Sequence, residues 1–134
     1  MTKSSTLTAG IDTSKDKLDV AVHGTTARLT VENCEAGWQR LAGELTKAGV
    51  ERIGIEATGG YERDVTRYLQ AAGFTVVVLQ PLQVKAFAKL HLRRAKNDRI
   101  DAALIAACTY ILALIALFVD MVPVRLPRGS SLAV

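Results

Sequence analysis

The sequence predicts an α/β protein with a mixed five-stranded sheet and helices on the faces of that sheet. Two observations lead to this fold class. The N-terminal quarter carries three short strand patterns separated by polar turns, which indicates antiparallel pairing. Beyond it, helical patterns alternate with short apolar runs, which is typical of parallel strands joined by crossover helices. At 134 residues with 49% apolar side chains, the chain is expected to form one domain with a modest core.

The first three strands are predicted from one apolar segment and two alternating segments, separated by polar turns. An apolar strand runs up to Ile11, a polar turn follows at 13–17, and the next strand places Leu18, Val20 and Val22 on one face. The third segment, ARLTVEN, alternates again after the tight turn HGTT. Together they predict a β-hairpin extended by one more strand.

The middle of the chain predicts two helices and two strands. The segment CEAGWQRLAGELTKAG has Trp38, Leu41 and Leu45 at helical spacing, with Gly49 expected to end the helix. ERIGIEA predicts a short buried strand that ends at Glu56, and GGYERDVTRYLQAAG predicts the second helix. The continuous apolar run FTVVVLQP is typical of a central strand covered on both faces.

The C-terminal part predicts a basic helix, LQVKAFAKLHLRRA, and a last helix that starts near Asp98 with Asn97 as its N-cap. Residues 102–119 contain no charged side chain. A buried or oligomer-contact helix is favoured there over a membrane span, because the run is Ala-rich and is followed by Asp120 and a Pro-containing tail. We therefore expect one domain over residues 1–110, with an atypical apolar helix end and tail over 111–134.

The cysteine content and the N-terminal residues indicate the cellular compartment of the protein. The two cysteines, Cys34 and Cys108, are too few for a disulfide scaffold, and neither has a Cys or His at metal-ligand spacing. The N-terminal MTKSSTLT has no apolar segment of the kind a signal peptide needs. We expect a reducing, cytoplasmic setting.

The positive charge is concentrated in one segment. Residues 81–101 hold six basic residues and two aspartates, which accounts for the whole formal net charge of +4. The six are Lys85, Lys89, Arg93, Arg94, Lys96 and Arg99. A local excess of this kind is typical of a nucleic-acid contact, with a solvated helix face as the alternative interpretation.

Four acids form a second pattern. Asp12 and Glu56 follow apolar strand segments, and the carboxyl ends of neighbouring strands converge on one crevice. Asp98 and Asp101, three residues apart, would share one helix face. Four oxygen donors without His or Cys are the ligand set of hard cations such as Mg²⁺ or Mn²⁺, and two such ions can assist attack at a phosphodiester.

Each acid also has a structural interpretation. Asp12 is alternatively a turn residue, with Asp16 and Asp19 as competitors for its role. Glu56 is alternatively the ion-pair partner of the arginine at position 52 or 63, and a DxxD pair on a helix is most often solvated. Only the joint pattern of all four acids with the basic segment points to a site.

Three segments together carry a family resemblance: GIDTSKDKLDVAV, IGIEATGGYER and KNDRIDAALIA. They resemble the N-terminal domain of the DEDD-type insertion-sequence transposases, a family that includes the pilin-gene invertase and the RNA-guided bridge recombinases. The resemblance covers about residues 8–108 and implies a RuvC-like, ribonuclease H-like fold. It also implies that divalent-metal binding and DNA strand cleavage and exchange belong to Asp12, Glu56, Asp98 and Asp101, with Mg²⁺ or Mn²⁺ as the cofactor.

The resemblance ends before the C-terminus. Family members continue into a second domain that carries a serine nucleophile, whereas nothing after Tyr110 resembles it, and Ser130 and Ser131 are not assigned that role. Recombination by this chain alone is therefore not expected. The resemblance implies DNA as a partner, allows a guide RNA, and suggests a homodimer or higher homo-oligomer whose contact lies in residues 102–119.

Two other functions compete with the resemblance. GIDTSKD is similar to the first phosphate loop of the sugar-kinase and actin fold, although the chain is too short for its two domains. The other alternative is a non-catalytic nucleic-acid-binding or oligomerisation module of the same fold. For Tyr61, core packing is favoured over stacking on a base, and Gly59-Gly60 is interpreted as a turn.

Overall fold

The computed structural model describes residues 7–91 and 101–121. Five strands and four helices occur in these residues. The strands are β1 (Leu7–Thr13), β2 (Lys17–Val22), β3 (Arg28–Glu32), β4 (Val50–Glu56) and β5 (Thr75–Leu79). The helices are α1 (Glu35–Lys47), α2 (Arg63–Ala71), α3 (Pro81–His91) and α4 (Ala102–Met121).

The strands form one mixed sheet in the order β3-β2-β1-β4-β5. β1 pairs antiparallel with β2, and β2 with β3, as the alternating N-terminal segments predict. β1 also pairs parallel with β4, and β4 with β5, across the two crossover helices. The predicted α/β class with a mixed five-stranded sheet is confirmed.

One face of the sheet is covered by α1 and α2. Ile11 and Ile55 are register partners on β1 and β4, and both are fully buried in a core that also holds Leu41 of α1 and Leu69 of α2. Helix α1 ends at Lys47, and Gly49 just after it has a positive φ of 82°, so it serves the C-terminal role predicted for it.

Helix α4 packs on the opposite face, directly over two glycines. Gly10 and Gly54 are register partners on β1 and β4. A Cβ atom on Gly10 would overlap the backbone of Ala102 and Ala106, and one on Gly54 would overlap the Thr109 side chain. Because no other residue permits so close an approach, the two glycines fix where α4 lies on the sheet.

The position of β5 differs from the prediction. FTVVVLQP was expected to form a central strand covered on both faces, but β5 is an edge strand of the described sheet and Val78 is 40% exposed. Both faces of β5 nevertheless contact helices. Val76 packs against the core under α1 and α2, and Val77 and Leu79 meet Val84 of α3 and Ile105 of α4. The apolar run therefore predicted the packing on both faces, but the central position was wrong, because an edge strand can also lie between helices.

The two ends of α4 differ in burial. The side chains from Leu104 to Thr109 are buried, whereas Leu114, Ile115 and Phe118 are between 44% and 65% exposed. The predicted buried helix is therefore confirmed for the first half, and the predicted oligomer contact remains a prediction for the exposed second half. Among the described residues, no helix combines the length and hydropathy needed to cross a bilayer.

Candidate active site

Asp12 and Glu56 lie side by side at the carboxyl ends of β1 and β4. Since Ile11 pairs with Ile55 in parallel register, the next residue of each strand points to the other face, the one covered by α4. Both acids are half-buried. The sequence-based expectation that these two side chains converge is therefore met in the fold.

The position of Glu56 at this strand end shifts its pKa. Burial raises that pKa above its ordinary value, the neighbouring Asp12 carboxylate raises it further, and the Lys85 ammonium on α3 partly lowers it. Asp12 is thus close enough to repel Glu56, and Lys85 close enough to attract it. The ion pair with Arg52 or Arg63, the structural alternative for Glu56, does not form among the described residues.

Asp101 is brought to the same region by α4. Its Oδ1 accepts a hydrogen bond from the Leu104 backbone N–H at 3.0 Å, which makes Asp101 the N-cap of α4. Asp101 and Asp12 line one cavity of about 320 Å³ between the sheet and the start of α4. The prediction that the last helix starts near Asp98 is wrong in detail, because α4 starts at Ala102 and Asp101 precedes it instead of lying one turn inside.

The same cavity also contains Thr30 and Arg28, which the sequence did not assign to a site, and Asp19, which it offers only as an alternative to Asp12. Asp19 is the direct register partner of Asp12, and Thr30 is that of Asp19, so all three share one face of the sheet. The Thr30 hydroxyl donates to Asp19 Oδ1 at 2.8 Å, and Arg28 lines the cavity beside them. Strand alternation could have shown that these side chains lie on the same face of the sheet. It could not have shown that they are neighbours, because that depends on the strand register.

The structure distinguishes between Asp16 and Asp19, the two alternatives for the role of Asp12. Asp19 stays beside the cavity, whereas Asp16 is exposed in the hairpin turn, where its backbone carbonyl accepts a hydrogen bond from the Asn33 N–H at 2.9 Å. Asp16 is thus a turn residue. Asp12 itself is part of β1, so its interpretation as a turn residue is wrong.

The loop after Glu56 is held by a carboxylate that the sequence analysis overlooked. Glu62, only 8% exposed, accepts hydrogen bonds at one oxygen from the backbone N–H groups of Thr58 and Gly60, at 2.9 and 3.1 Å. Burial alone would raise the pKa of Glu62, but backbone N–H donors and the charge of Arg63 outweigh it and lower that pKa. The Thr58 hydroxyl in turn donates to the Glu56 carbonyl at 3.1 Å, so this loop is tied to the strand end.

Tyr61 occupies the tip of the same loop. Its side chain is 47% exposed, so the expectation of core packing is wrong. Its backbone carbonyl accepts a hydrogen bond from Asn33 Nδ2 at 3.2 Å. Gly59 and Gly60 have φ values of 65° and 96°, which confirms the predicted turn.

Several predicted residues lie outside the described part of the chain. They are Asp98, Arg93, Arg94, Lys96 and Arg99. The two described members of the basic patch, Lys85 and Lys89, are exposed on α3. Within residues 7–91 and 101–121, no three His, Cys, Asp or Glu side chains form a group that could hold a metal ion.

The donor chemistry still matches a hard cation. Asp12, Glu56 and Asp101 contribute only carboxylate oxygens, and the raised pKa of Glu56 marks negative charge that is disfavoured without a counter-charge. The fourth acid of the predicted set, Asp98, is not among the described residues. The described acids therefore supply donor atoms of the kind that hard divalent cations prefer.

Comparison with known proteins gives three findings. A family model of the DEDD transposases of IS110 type, described as transposase, matches residues 9–118. The structure of Thermus thermophilus RuvC in complex with a Holliday junction substrate is similar in fold, with a TM-score of 0.56 and 17% identity over 83% of this chain and 96% of that one. Archaeoglobus fulgidus Pelota has a TM-score of 0.44 and 13% identity over 86% of this chain and 37% of that one. No curated protein matches the sequence.

Proposed function

This chain belongs to the DEDD transposase family, and on that premise we propose that it is the metal-binding catalytic domain for DNA strand cleavage and exchange. Its fold is RuvC-like. The proposed metal ligands are Asp12, Glu56, Asp98 and Asp101, and the proposed cofactor is Mg²⁺ or Mn²⁺. Strand exchange would also need the second domain that members of the family carry.

The observation that carries the proposal is the pairing of Asp12 with Glu56 at adjacent strand ends. Burial raises the pKa of Glu56, and repulsion by the Asp12 carboxylate beside it raises that pKa further. This repulsion costs stability, and a cation held between the two carboxylates would offset it. Asp101 adds a third carboxylate at the rim of the same cavity as Asp12, and its Oδ2 accepts no hydrogen bond from the described residues.

In the proposed chemistry, the acids bind the metal ion and the surrounding basic side chains bind the DNA. A divalent cation held there would lower the pKa of an attacking water or hydroxyl and offset charge that develops on the phosphate. The acids orient it, and the N-cap bond of Asp101 fixes that carboxylate relative to α4. Lys85 already compensates part of the charge of Glu56, and we propose that it and Lys89, with Arg93, Arg94, Lys96 and Arg99, hold DNA phosphates.

Isothermal titration with Mn²⁺ tests the metal site. Asp12→Asn and Asp101→Ala are expected to weaken Mn²⁺ binding by at least about tenfold, which corresponds to about 1.4 kcal/mol. Asp16→Asn is the matched control, because Asp16 lies in the neighbouring turn and is exposed. Equal affinity of the wild type and Asp101→Ala would remove Asp101 from the site.

The second candidate is a non-catalytic nucleic-acid-binding module of the same fold. It is favoured by the lack of a three-ligand group among the described residues. The two functions differ in their need for metal. DNA binding or nicking that depends on Mn²⁺ and is abolished by EDTA supports the catalytic domain, whereas binding indifferent to divalent ions supports the module.

For assembly, we propose a homodimer through the exposed half of α4. Ile111, Leu114, Ile115 and Phe118 follow the i, i+3, i+4, i+7 spacing of a helix-packing stripe, and each is at least 37% exposed. The stripe has no charge, so a second copy of itself is a suitable partner. Sedimentation should give a dimer for the wild type and a monomer for Ile115→Lys, and a monomeric wild type would contradict the proposal.

A further inference from the structure

Arg28 is a cation without a structural partner in the described part of the protein. It lies at the start of β3, the edge strand at the far side of the sheet from β5. The ion pairs of the described residues, Lys47–Glu44 and Arg67–Asp64, both lie on helix surfaces, and Arg28 belongs to neither. Its side chain is exposed and lines the cavity that contains Asp12 and Asp101.

The register of the sheet explains why Arg28 reaches this cavity. Asp12, Asp19 and Thr30 form one transverse row of register partners, and Arg28 lies two residues before Thr30 on the same face. At that level α4 covers Gly10 of β1, and Ala102 at its start lines the cavity too. Arg28 is therefore next to the N-terminus of a helix, where a cation gains nothing from the helix dipole.

A second cation lies on the opposite side of the acids. Lys85 is on α3, which follows β5 at the other edge of the sheet, and its charge acts on Glu56. The acids on β1 and β4 thus lie between Lys85 and Arg28. Three strand spacings separate β3 from β4, about 14 Å, which equals roughly four base steps along the axis of duplex DNA.

We propose that Arg28 contacts a DNA phosphate on the β3 side of the acids and so positions the strand across the carboxyl ends of β1 and β4. This inference rests on the proposed function, and it adds a contact outside the basic segment 81–101. The fork of N–H donors on a guanidinium suits a phosphate, and a phosphate held there is kept beside the carboxylates that would otherwise repel it. Arg28 would be a positioning residue for substrate, with no part in holding the metal.

The test compares Arg28→Ala and Arg28→Lys with Arg40→Ala. Arg40 is an exposed arginine on α1, across the sheet from α4, and is the matched control. Binding of a labelled 20-nucleotide single-stranded DNA is followed by fluorescence anisotropy in Mn²⁺ over a series of salt concentrations. Arg28→Ala is expected to weaken binding several-fold and to reduce the slope of log K against log salt by about 0.7, the value for one phosphate on a single strand. Arg28→Lys should keep the slope, and Arg40→Ala should match the wild type.

Two further measurements separate this inference from the proposed function. Thermal unfolding should be the same for Arg28→Ala and the wild type, since a merely structural role would lower stability and leave the salt slope intact. Titration with Mn²⁺ should give equal affinity for both proteins. If the wild type binds no Mn²⁺, the metal site fails while the salt slope still tests Arg28. If the wild type binds Mn²⁺ but Arg28→Ala and Arg40→Ala show the same slope of log K against log salt, the Arg28 contact is refuted and the metal site is not.

Discussion

Glu56 and Glu62 are close in sequence, yet the protein treats their charges in opposite ways. Glu56 ends β4 beside Asp12, its side-chain carboxylate accepts no hydrogen bond from the described residues, and its pKa is raised by burial and by the Asp12 charge. Glu62 starts the next helix, is almost buried, and has a lowered pKa because backbone N–H donors outweigh its desolvation. The fold supplies two backbone hydrogen-bond donors to the Glu62 carboxylate, whereas the Glu56 carboxylate is compensated only in part, by the charge of Lys85.

This difference teaches how to separate a structural acid from a functional one. A carboxylate that stabilises the fold is surrounded by donors, as Glu62 is by Thr58 and Gly60. A carboxylate that costs the fold stability needs another reason to be present, and a bound cation is the simplest. The predictions below use this contrast, beginning with the largest effect.

The largest effect is expected from Gly54→Ala. A Cβ atom there overlaps Thr109, so α4 must shift, at a cost of about 2–3 kcal/mol. Because α4 carries Asp101, Mn²⁺ affinity should fall as well, while the Glu62 loop should keep its hydrogen bonds. Urea unfolding and Mn²⁺ titration measure the two effects.

The control for this change is Gly43→Ala on α1, where an added Cβ meets no atom within 4 Å. Stability should rise there by up to about 1 kcal/mol, because alanine favours a helix over glycine. Thr109→Ala in the Gly54→Ala background should restore part of the loss. A double variant no better than the single one would show that the contact with Thr109 is not the cause.

An intermediate effect is expected from Glu62→Gln. Loss of the charged acceptor should cost about 1–2 kcal/mol at pH 7. Since the pKa of Glu62 is lowered on folding, its contribution is present above the unfolded value near 4.5 and is lost as pH falls through the folded pKa. Urea unfolding at pH 7 and at successively lower pH should therefore show the variant and the wild type converging in acid.

Glu44→Gln is the comparison for that variant, since Glu44 forms an exposed ion pair with Lys47. Its cost should stay below about 0.5 kcal/mol. If both variants behave alike, the carboxylate of Glu62 does not support the loop in the way described above.

The smallest effect, and one of opposite sign, is expected from Glu56→Gln. In EDTA at pH 7 the variant should be more stable than the wild type by about 0.5–1 kcal/mol, because a charged carboxylate is no longer buried and no longer repelled by Asp12. Since the pKa of Glu56 is raised on folding, this gain should disappear below the unfolded value near 4.5, where the wild-type carboxyl is protonated in both states. Thermal unfolding at pH 7 and in acid measures it.

In the presence of Mn²⁺ the order of stability should be reversed, with the wild type more stable than Glu56→Gln. The wild type gains stability from a bound ion, whereas Glu56→Gln loses a ligand and gains less. A Glu56→Gln protein that is less stable than the wild type in EDTA would mean that Glu56 is a structural acid like Glu62, and the contrast between them would be lost.

The sequence by itself determined the elements and the position of two of the acids. Alternation predicted β2 and β3, an apolar segment predicted β1, and helical spacing predicted α1, because side-chain periodicity is a local property of the backbone. It also put Asp12 and Glu56 at strand ends, and parallel pairing makes such residues neighbours. The three motifs identified the family without any coordinates.

Only the tertiary structure decided which side chains surround those acids and which apolar residues are covered. The edge position of β5, the N-cap role of Asp101, and the approach of Arg28 and Asp19 to the cavity depend on strand order and on α4 lying over Gly10 and Gly54. The two halves of α4 are similarly apolar, yet the side chains from Leu104 to Thr109 are buried and most of those from Ile111 to Phe118 are exposed. Such contacts join residues that are far apart in the chain, so a local sequence pattern cannot predict them.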